Sequence, residues 1–325
     1  MTYPIAPASS FVNVAVHRSF NTDQWQQELL SSFRTRRINH RFLYESPKQA
    51  ARWLALHEAC SPSRFDPACQ EIYQEAFNFV GQCRMNFDAV ISLGSGGGQK
   101  DAVLIDSLHR AGVGINYYQP VDVSIALLLE STKAVQNKVK LESKPLLMAL
   151  SSRETPQAAA PVNSNLLLAF GLLPNFEPND IFKSLKTWVR KGDLLLVSAN
   201  LAPGEDYAAG VQRVFPGYDN GYTREWLTGF LVDAGFERED GEWRFQIRNV
   251  NDLLRIEAVW EIRQERQFTL FGELFQFNPG DSIQVFYSYR YTLRRFTDWA
   301  ERYGFALEGS WITPSGEEGV FLLRS

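Results

Sequence analysis

The stretch "FDAVISLGSGGGQKDAVLIDSLHRAGVGINYYQPVDVS" spans residues 87–124. "DAVISLG" is apolar on both faces and reads as a buried strand, and "QKDAVLIDSLHRAG" carries apolar residues at helical spacing. "INYYQPVDV" is a second strand. A glycine-rich turn between a buried strand and a helix, followed by another such strand, is the opening unit of a parallel sheet covered on both faces.

The pattern continues. A helix follows over about 124–137, "PLLMAL" and "SNLLLAFG" are two further strands, and "EPNDIFKSLKTWVRKGD" is a helix opening on acids and closing on Arg190, Lys191 and Gly192. "LLLVSANL" is the fifth strand. Beyond it a loop, "APGEDYAAGVQRVFPGYDNGY", leads to a helix over about 223–234. The runs "EWRFQIRNV", "LRIEAVWEIRQ", "QFTLFGELFQF" and "DSIQVFYSYRY" alternate imperfectly and read as four strands of an antiparallel sheet. A helix over 293–303 and a hairpin, "FALEGSW" with "GVFLLRS", close the chain and return it to the first sheet. The expected fold class is α/β, a Rossmann-like sheet joined to a mixed α+β unit. Residues 76–204 with 291–325 make the first domain, and 1–75 with 205–290 make the second.

Composition limits the possible partners. At 325 residues with 45% hydrophobic and 22% charged, the chain has the makings of a large globular core. A net charge of −4 and no long basic run argue against nucleic acid, "RTRRINHR" (34–41) included. Three cysteines without CxxC spacing, and four histidines in no metal-binding pair, argue against a disulfide framework and a zinc site. No signal-like leader or membrane-length apolar run is present, so a cytoplasmic protein without membrane attachment is expected.

In "LGSGGGQK", Gly94 permits the tight turn and Gly96 lets the backbone approach a ligand, with Ser95 between them. Asp122, ending the second strand, is placed to accept hydrogen bonds from both hydroxyls of a ribose. The alternative is a plain strand–helix turn with no ligand. A phosphate loop needs GKS or GKT after the glycines, which "GGGQKD" lacks; a dinucleotide turn needs a small residue where Gln99 stands. S-adenosylmethionine tolerates this glycine spacing and also needs the strand-two acid, and a terminal helix and hairpin is the ending such a sheet has. S-adenosylmethionine is therefore the expected cofactor, leaving S-adenosylhomocysteine.

Several motifs in order resemble the histidine-specific N-methyltransferases of ergothioneine biosynthesis: "LGSGGGQKDAVLIDSL" with "YQPVDVS", "LLLAFGLLPNFEP", "PGYDNGYTREWL", "GDSIQVFYSYRYTLRRFTDWAERYGF" and, more faintly, "HRFLYES". The resemblance implies a methyltransferase sheet with a substrate domain of N-terminal and inserted segments. It also implies that Gly94, Lys100 and Asp122 hold the cofactor, that Asn175 holds the substrate's amino-acid backbone, that Tyr218 helps hold its carboxylate, and that Ser288 lies beside its side chain. Arg37, Arg41 and Tyr44 read first as surface residues and otherwise as a border of the pocket, and His109 belongs to a helix end.

The departures from the family pattern are specific. The glutamate that faces the imidazole falls on Phe286, "EYYPTR" is replaced by "ACSPSRFD", the acid before LGSG is Ser92, and the acid after the third strand is lost in "LMALSS". An imidazole held by hydrogen bonds needs a polar partner, which Phe286 cannot supply. The expected activity is methylation of a small molecule, N-methylation of an amino acid or amine other than histidine. An O- or C-methyltransferase of a phenolic or indolic substrate and a non-catalytic adenosine-ligand-binding protein are the alternatives.

Overall fold

The computed structural model describes residues 12–150 and 164–325. Its largest sheet runs Ala15–Val16, Leu146–Leu147, Ile115–Asp122, Phe87–Leu93, Ser164–Ala169, Leu194–Asn200, Glu318–Arg324, Ala306–Ile312, with Glu142–Ser143 as a side branch on Ile115–Asp122. All pairings are parallel except those of Glu318–Arg324, which runs antiparallel to both neighbours. Every residue of Phe87–Leu93 is buried, as a central strand with helices on both faces requires. The chain winds outward from this strand in one direction and then, through Ser164–Ala169, in the other. The crevice where the order reverses, at the carboxyl ends of these two strands, is where open α/β sheets bind ligands.

A second sheet has three antiparallel strands, Ser282–Arg290, Leu253–Ile262 and Gly241–Val250. Here the structure departs from the expected four strands. "QFTLFGELFQF" folds on itself as Arg266–Leu270 against Glu273–Phe277, a separate two-stranded sheet. Phe271 and Gly272 both have positive φ, 49° and 83°, as the tight two-residue hairpin turn demands. The aromatic rings of this hairpin share a core with Leu29, Leu30 and Phe33 of the Thr22–Thr35 helix and with Trp226 and Phe230 of the Gly221–Ala234 helix. The N-terminal helices thus pack on the inserted segment, although Ala15–Val16 and the Pro67–Gln82 helix lie against the large sheet.

Two further expectations are corrected. Of "PLLMAL" only Leu146–Leu147 forms ladder pairs; Ala149 leaves the ladder to bond the Ser19 hydroxyl, and Leu150 follows it into the cavity wall. The loop after Leu201 contains a helix, Tyr207–Val214, capped by the Asp206 carboxylate on the Ala209 N–H. Among the described residues no helix is long and apolar enough to cross a membrane.

Candidate active site

One cavity of about 1370 Å³ opens over the carboxyl ends of the parallel strands and is bounded on its far side by the second sheet. Tyr44, Gly94, Ser95, Gly96, Lys100, Asp122, Asn175, Tyr218, Phe286 and Ser288 all line it, and so does Arg41, whereas Arg37 is not among its lining residues and bridges Gln284 instead. A pocket for a single small ligand measures roughly 300–1,000 Å³, so this volume has room for two molecules side by side.

At the sheet end, Gly96 has φ of +52°, and a Cβ there would stand 2.8 Å from the Trp53 ring. The indole of Trp53 therefore lies against the turn backbone, a contact no local sequence signal announces. Gly98, at φ +70°, backs onto Ser131, where a Cβ would come within 2.5 Å of its Cα. The Ser95 hydroxyl donates inward to Ser131 at 3.3 Å, so what Ser95 turns to the cavity is not a free hydroxyl.

Asp122 is 6% exposed and accepts the backbone N–H groups of Gly96 and Ser124, both at 3.0 Å. Burial pushes its carboxyl up to about 6, against the pull of those backbone donors. At neutral pH it is an ionised acceptor with lone pairs to spare. The acid missing at Ser92 returns from the helix: buried Asp101 takes the Tyr118 hydroxyl at 2.6 Å and a hydrogen bond from Ser92. In the "ACSPSRFD" region, Pro62–Phe65 forms one helical turn on the cavity rim. Of "LMALSS", Ser151 and Ser152 lie outside the described residues.

Lys100 reaches across the cavity to the Tyr73 hydroxyl, 2.7 Å away, and Tyr73 in turn bonds Glu318. Neither Tyr73 nor Glu318 stood out in the sequence; 245 residues separate them, and only the antiparallel return of the last strand brings them together.

At the opposite end, Asn175 closes the short Leu173–Asn175 turn, its amide donating toward the Tyr44 hydroxyl at 3.4 Å. Tyr218 donates to the Ser288 hydroxyl at 3.0 Å, and Asn200 donates to the same oxygen at 3.3 Å. Phe286, Ser288 and Arg290 share the cavity face of their strand, as alternation predicts. Arg290 is 9% exposed; its Nε donates to Tyr218, its Nη1 to the carbonyls of Leu201 and Glu317, and no carboxylate pairs with it among the described residues. Arg41, by contrast, spends its charge on Glu28 and Glu45.

Phe286 is walled by His40, stacked at 5.1 Å, and Trp226, edge-on at 5.4 Å. Burial and the nearby Arg255 charge outweigh the Asn175 carbonyl and lower His40 to about 3. Its Nε2 accepts the Tyr287 N–H at 3.2 Å, so the ring stays neutral with the proton on Nδ1.

A family model for histidine-specific, S-adenosylmethionine-dependent methyltransferases matches residues 68–325. The chain belongs to this family. It is therefore an enzyme, a methyltransferase that uses S-adenosylmethionine, which sets aside the non-catalytic and dinucleotide readings. No curated protein matches the chain. Among solved structures, a Clostridium acetobutylicum S-adenosylmethionine-dependent methyltransferase is similar at 12% identity and TM-score 0.46, over 84% of this chain and 98% of that one. A Burkholderia thailandensis 1,6-didemethyltoxoflavin-N1-methyltransferase is similar at 11% identity and TM-score 0.44, over 85% and 86%. The Synechocystis magnesium protoporphyrin IX methyltransferase gives 11% and 0.43, over 88% and 97%. The family match starts at 68, so Tyr44, Trp53 and His40 fall outside it although they wall the same cavity.

Proposed function

We propose that this methyltransferase acts on the nitrogen of a small amino acid or amine other than histidine. The observation that carries the reading is Phe286: where the resemblance places an imidazole-facing glutamate, the cavity presents an aromatic wall of Phe286, Trp226 and His40. An imidazole bound there would leave its ring N–H without an acceptor, a loss of about 1–3 kcal/mol. An apolar side chain would gain by the same burial.

The division of labour we propose sets Gly94, Gly96, Lys100 and Asp122, on 76–204 with 291–325, against the cofactor, with Ser95 serving through the turn backbone it fixes. Tyr44, Tyr218, Phe286 and Ser288, on 1–75 with 205–290, face the acceptor, and Asn175 lies between. The residues fit the cofactor in the two respects the cavity tests: a turn backbone without Cβ at Gly96, and a buried ionised acid at Asp122 suited to paired hydroxyls. When bound, S-adenosylmethionine supplies a methyl group on a sulfonium, transferred by in-line displacement.

The chain's own part is positioning and exclusion of water. Burial away from water disfavours the ammonium form and so favours the neutral amine, whose lone pair is the nucleophile. No base is needed for that step, and His40, held near 3, is not one. Arg290 favours an acceptor bearing an acid group, because a buried guanidinium without a counter-charge is costly until an anion arrives.

The test is a mass-spectrometric screen of amino acids, biogenic amines, phenols and indoles for a 14-dalton gain, with fragmentation to place the methyl. N-methylation of an amino acid or amine is expected; methyl on oxygen or carbon would overturn the reading.

A further inference from the structure

Phe286, Ser288 and Arg290 follow one another on the cavity face of Ser282–Arg290, paired in regular register with Ala258, Ile256 and Leu254. At about 3.3 Å per residue the strand is a ruler: Phe286 stands roughly 13 Å from Arg290, with Ser288 halfway. An acceptor whose acid group meets Arg290 therefore carries its side chain past Ser288 toward Phe286.

That direction is closed by a residue from the N-terminal segment. Ser282–Arg290 is an edge strand, and residues 36–38 lie along its outer edge. The Gln284 N–H donates to the Arg36 carbonyl and the Ile38 N–H to the Gln284 carbonyl, both at 2.9 Å. Beyond the irregularity between Gln284 and Phe286, the Tyr287 N–H on this edge is taken by a side chain instead, His40 Nε2. That bond lays the imidazole on the Phe286 ring. The short His40–Leu43 turn is held from its other end, where the Leu43 carbonyl accepts Trp226 Nε1 at 2.8 Å.

Phe286, His40 and Trp226 keep only 9%, 8% and 2% of their surface exposed, although the cavity they wall is large. Protein therefore fills the space beyond Ser288. His40 Nε2 is engaged and Nδ1 is buried, so neither nitrogen is offered to a ligand. The ring ends the groove; it does not bind into it. The half-buried rings of Tyr44 and Trp53 leave the remaining room on the side of the glycine turn.

We propose that His40 determines acceptor specificity: its ring is the stop at the end of the acceptor groove and restricts the acceptor to an amino acid with a short side chain. This rests on the second sheet being the acceptor side and Arg290 the acid-binding end. The test gives the full chain labelled S-adenosylmethionine with alanine, leucine, phenylalanine or histidine, one at a time, and reads the methylated product by mass spectrometry. Calorimetry with S-adenosylhomocysteine runs beside it. The wild type should methylate alanine about 10-fold or more faster than leucine or phenylalanine, as an overfilled groove requires. His40→Ala should raise leucine and phenylalanine relative to alanine by about the same factor and bind S-adenosylhomocysteine as the wild type does. With Phe286→Glu, it should methylate histidine about 10-fold or more faster than Phe286→Glu alone, since an imidazole needs room as well as a hydrogen-bond partner.

A wild type that prefers leucine or phenylalanine, or methylates none of the four, would overturn the stop. So would a His40→Ala variant whose size ranking matches the wild type's. A merely structural His40 would lower all rates together and leave that ranking unmoved. Loss of S-adenosylhomocysteine affinity in folded His40→Ala would set His40 against the cofactor and overturn it too. Methyl on the carboxylate oxygen would strike the nitrogen reading while the size ranking still decides the stop. Should His40→Ala not fold, the wild-type ranking decides alone.

Discussion

At the scale of single residues, the proposed function rests most on Asp122 and Phe286. Burial raises Asp122 from 3.8 to about 6, so the folded protein holds its proton more tightly than the unfolded chain. Its contribution to stability is therefore fully present below about pH 4 and lost as pH rises through about 6. The loss is on the order of 3 kcal/mol for two pH units. Under the proposed ribose role of Asp122, ligand binding runs the other way, because ribose hydroxyls need the ionised acceptor. S-adenosylhomocysteine affinity should fall as pH drops below about 6, and calorimetry from pH 5 to 8 should show that Asp122→Ala binds severely more weakly with no such pH dependence. Phe286→Glu would put a carboxylate beside the neutral His40 ring. Denaturant unfolding should record a loss of about 1–3 kcal/mol, and the apolar acceptor should lose at least 10-fold in kcat/KM while histidine gains.

At the scale of elements, the turn holding Asn175 is fixed from the second sheet. Glu177, two residues on, accepts Arg255 Nη1 and the Tyr289 hydroxyl, both at 2.7 Å, while Arg255 also binds the buried Glu257. Glu177→Ala should therefore raise KM for the acceptor several-fold without moving the S-adenosylhomocysteine Kd, since neither Asp122 nor the glycine turn touches this cluster; steady-state kinetics and calorimetry would read the two. Periodicity made the strand–turn–helix unit legible because every residue of Phe87–Leu93 is buried and the following helix has one apolar face. The hairpin at Phe271–Gly272 was hidden because a Phe in positive φ does not look like a turn. The Tyr207–Val214 helix was hidden by its shortness and by Gly210, which sits in it because a Cβ would strike the Pro203 carbonyl at 2.3 Å.

At the scale of the molecule, the two sheets face each other across one cavity, and its two ends were legible to different degrees. The proposed cofactor end is local in sequence, from Gly94 to Asp122, and so was open to a reading from the sequence. The partners Trp53, Tyr73 and Glu318 could not, since only the fold brings the N-terminal helices and the last strand over the turn. Because Trp53 lies against Gly96, cofactor binding should be felt by both layers. At a hundred times its Kd, S-adenosylhomocysteine should stabilise the fold by about 2.7 kcal/mol. Amide exchange should slow both in the turn at 94–100 and in the Pro47–Cys60 helix that carries Trp53.

The acceptor end gives the sharpest test. With labelled S-adenosylmethionine and an equimolar mixture of amino acids that includes histidine, mass spectrometry should find the label on the amine nitrogen of an acid-bearing acceptor other than histidine. Predominant trimethylation of histidine by the wild-type protein would contradict the reading of Phe286.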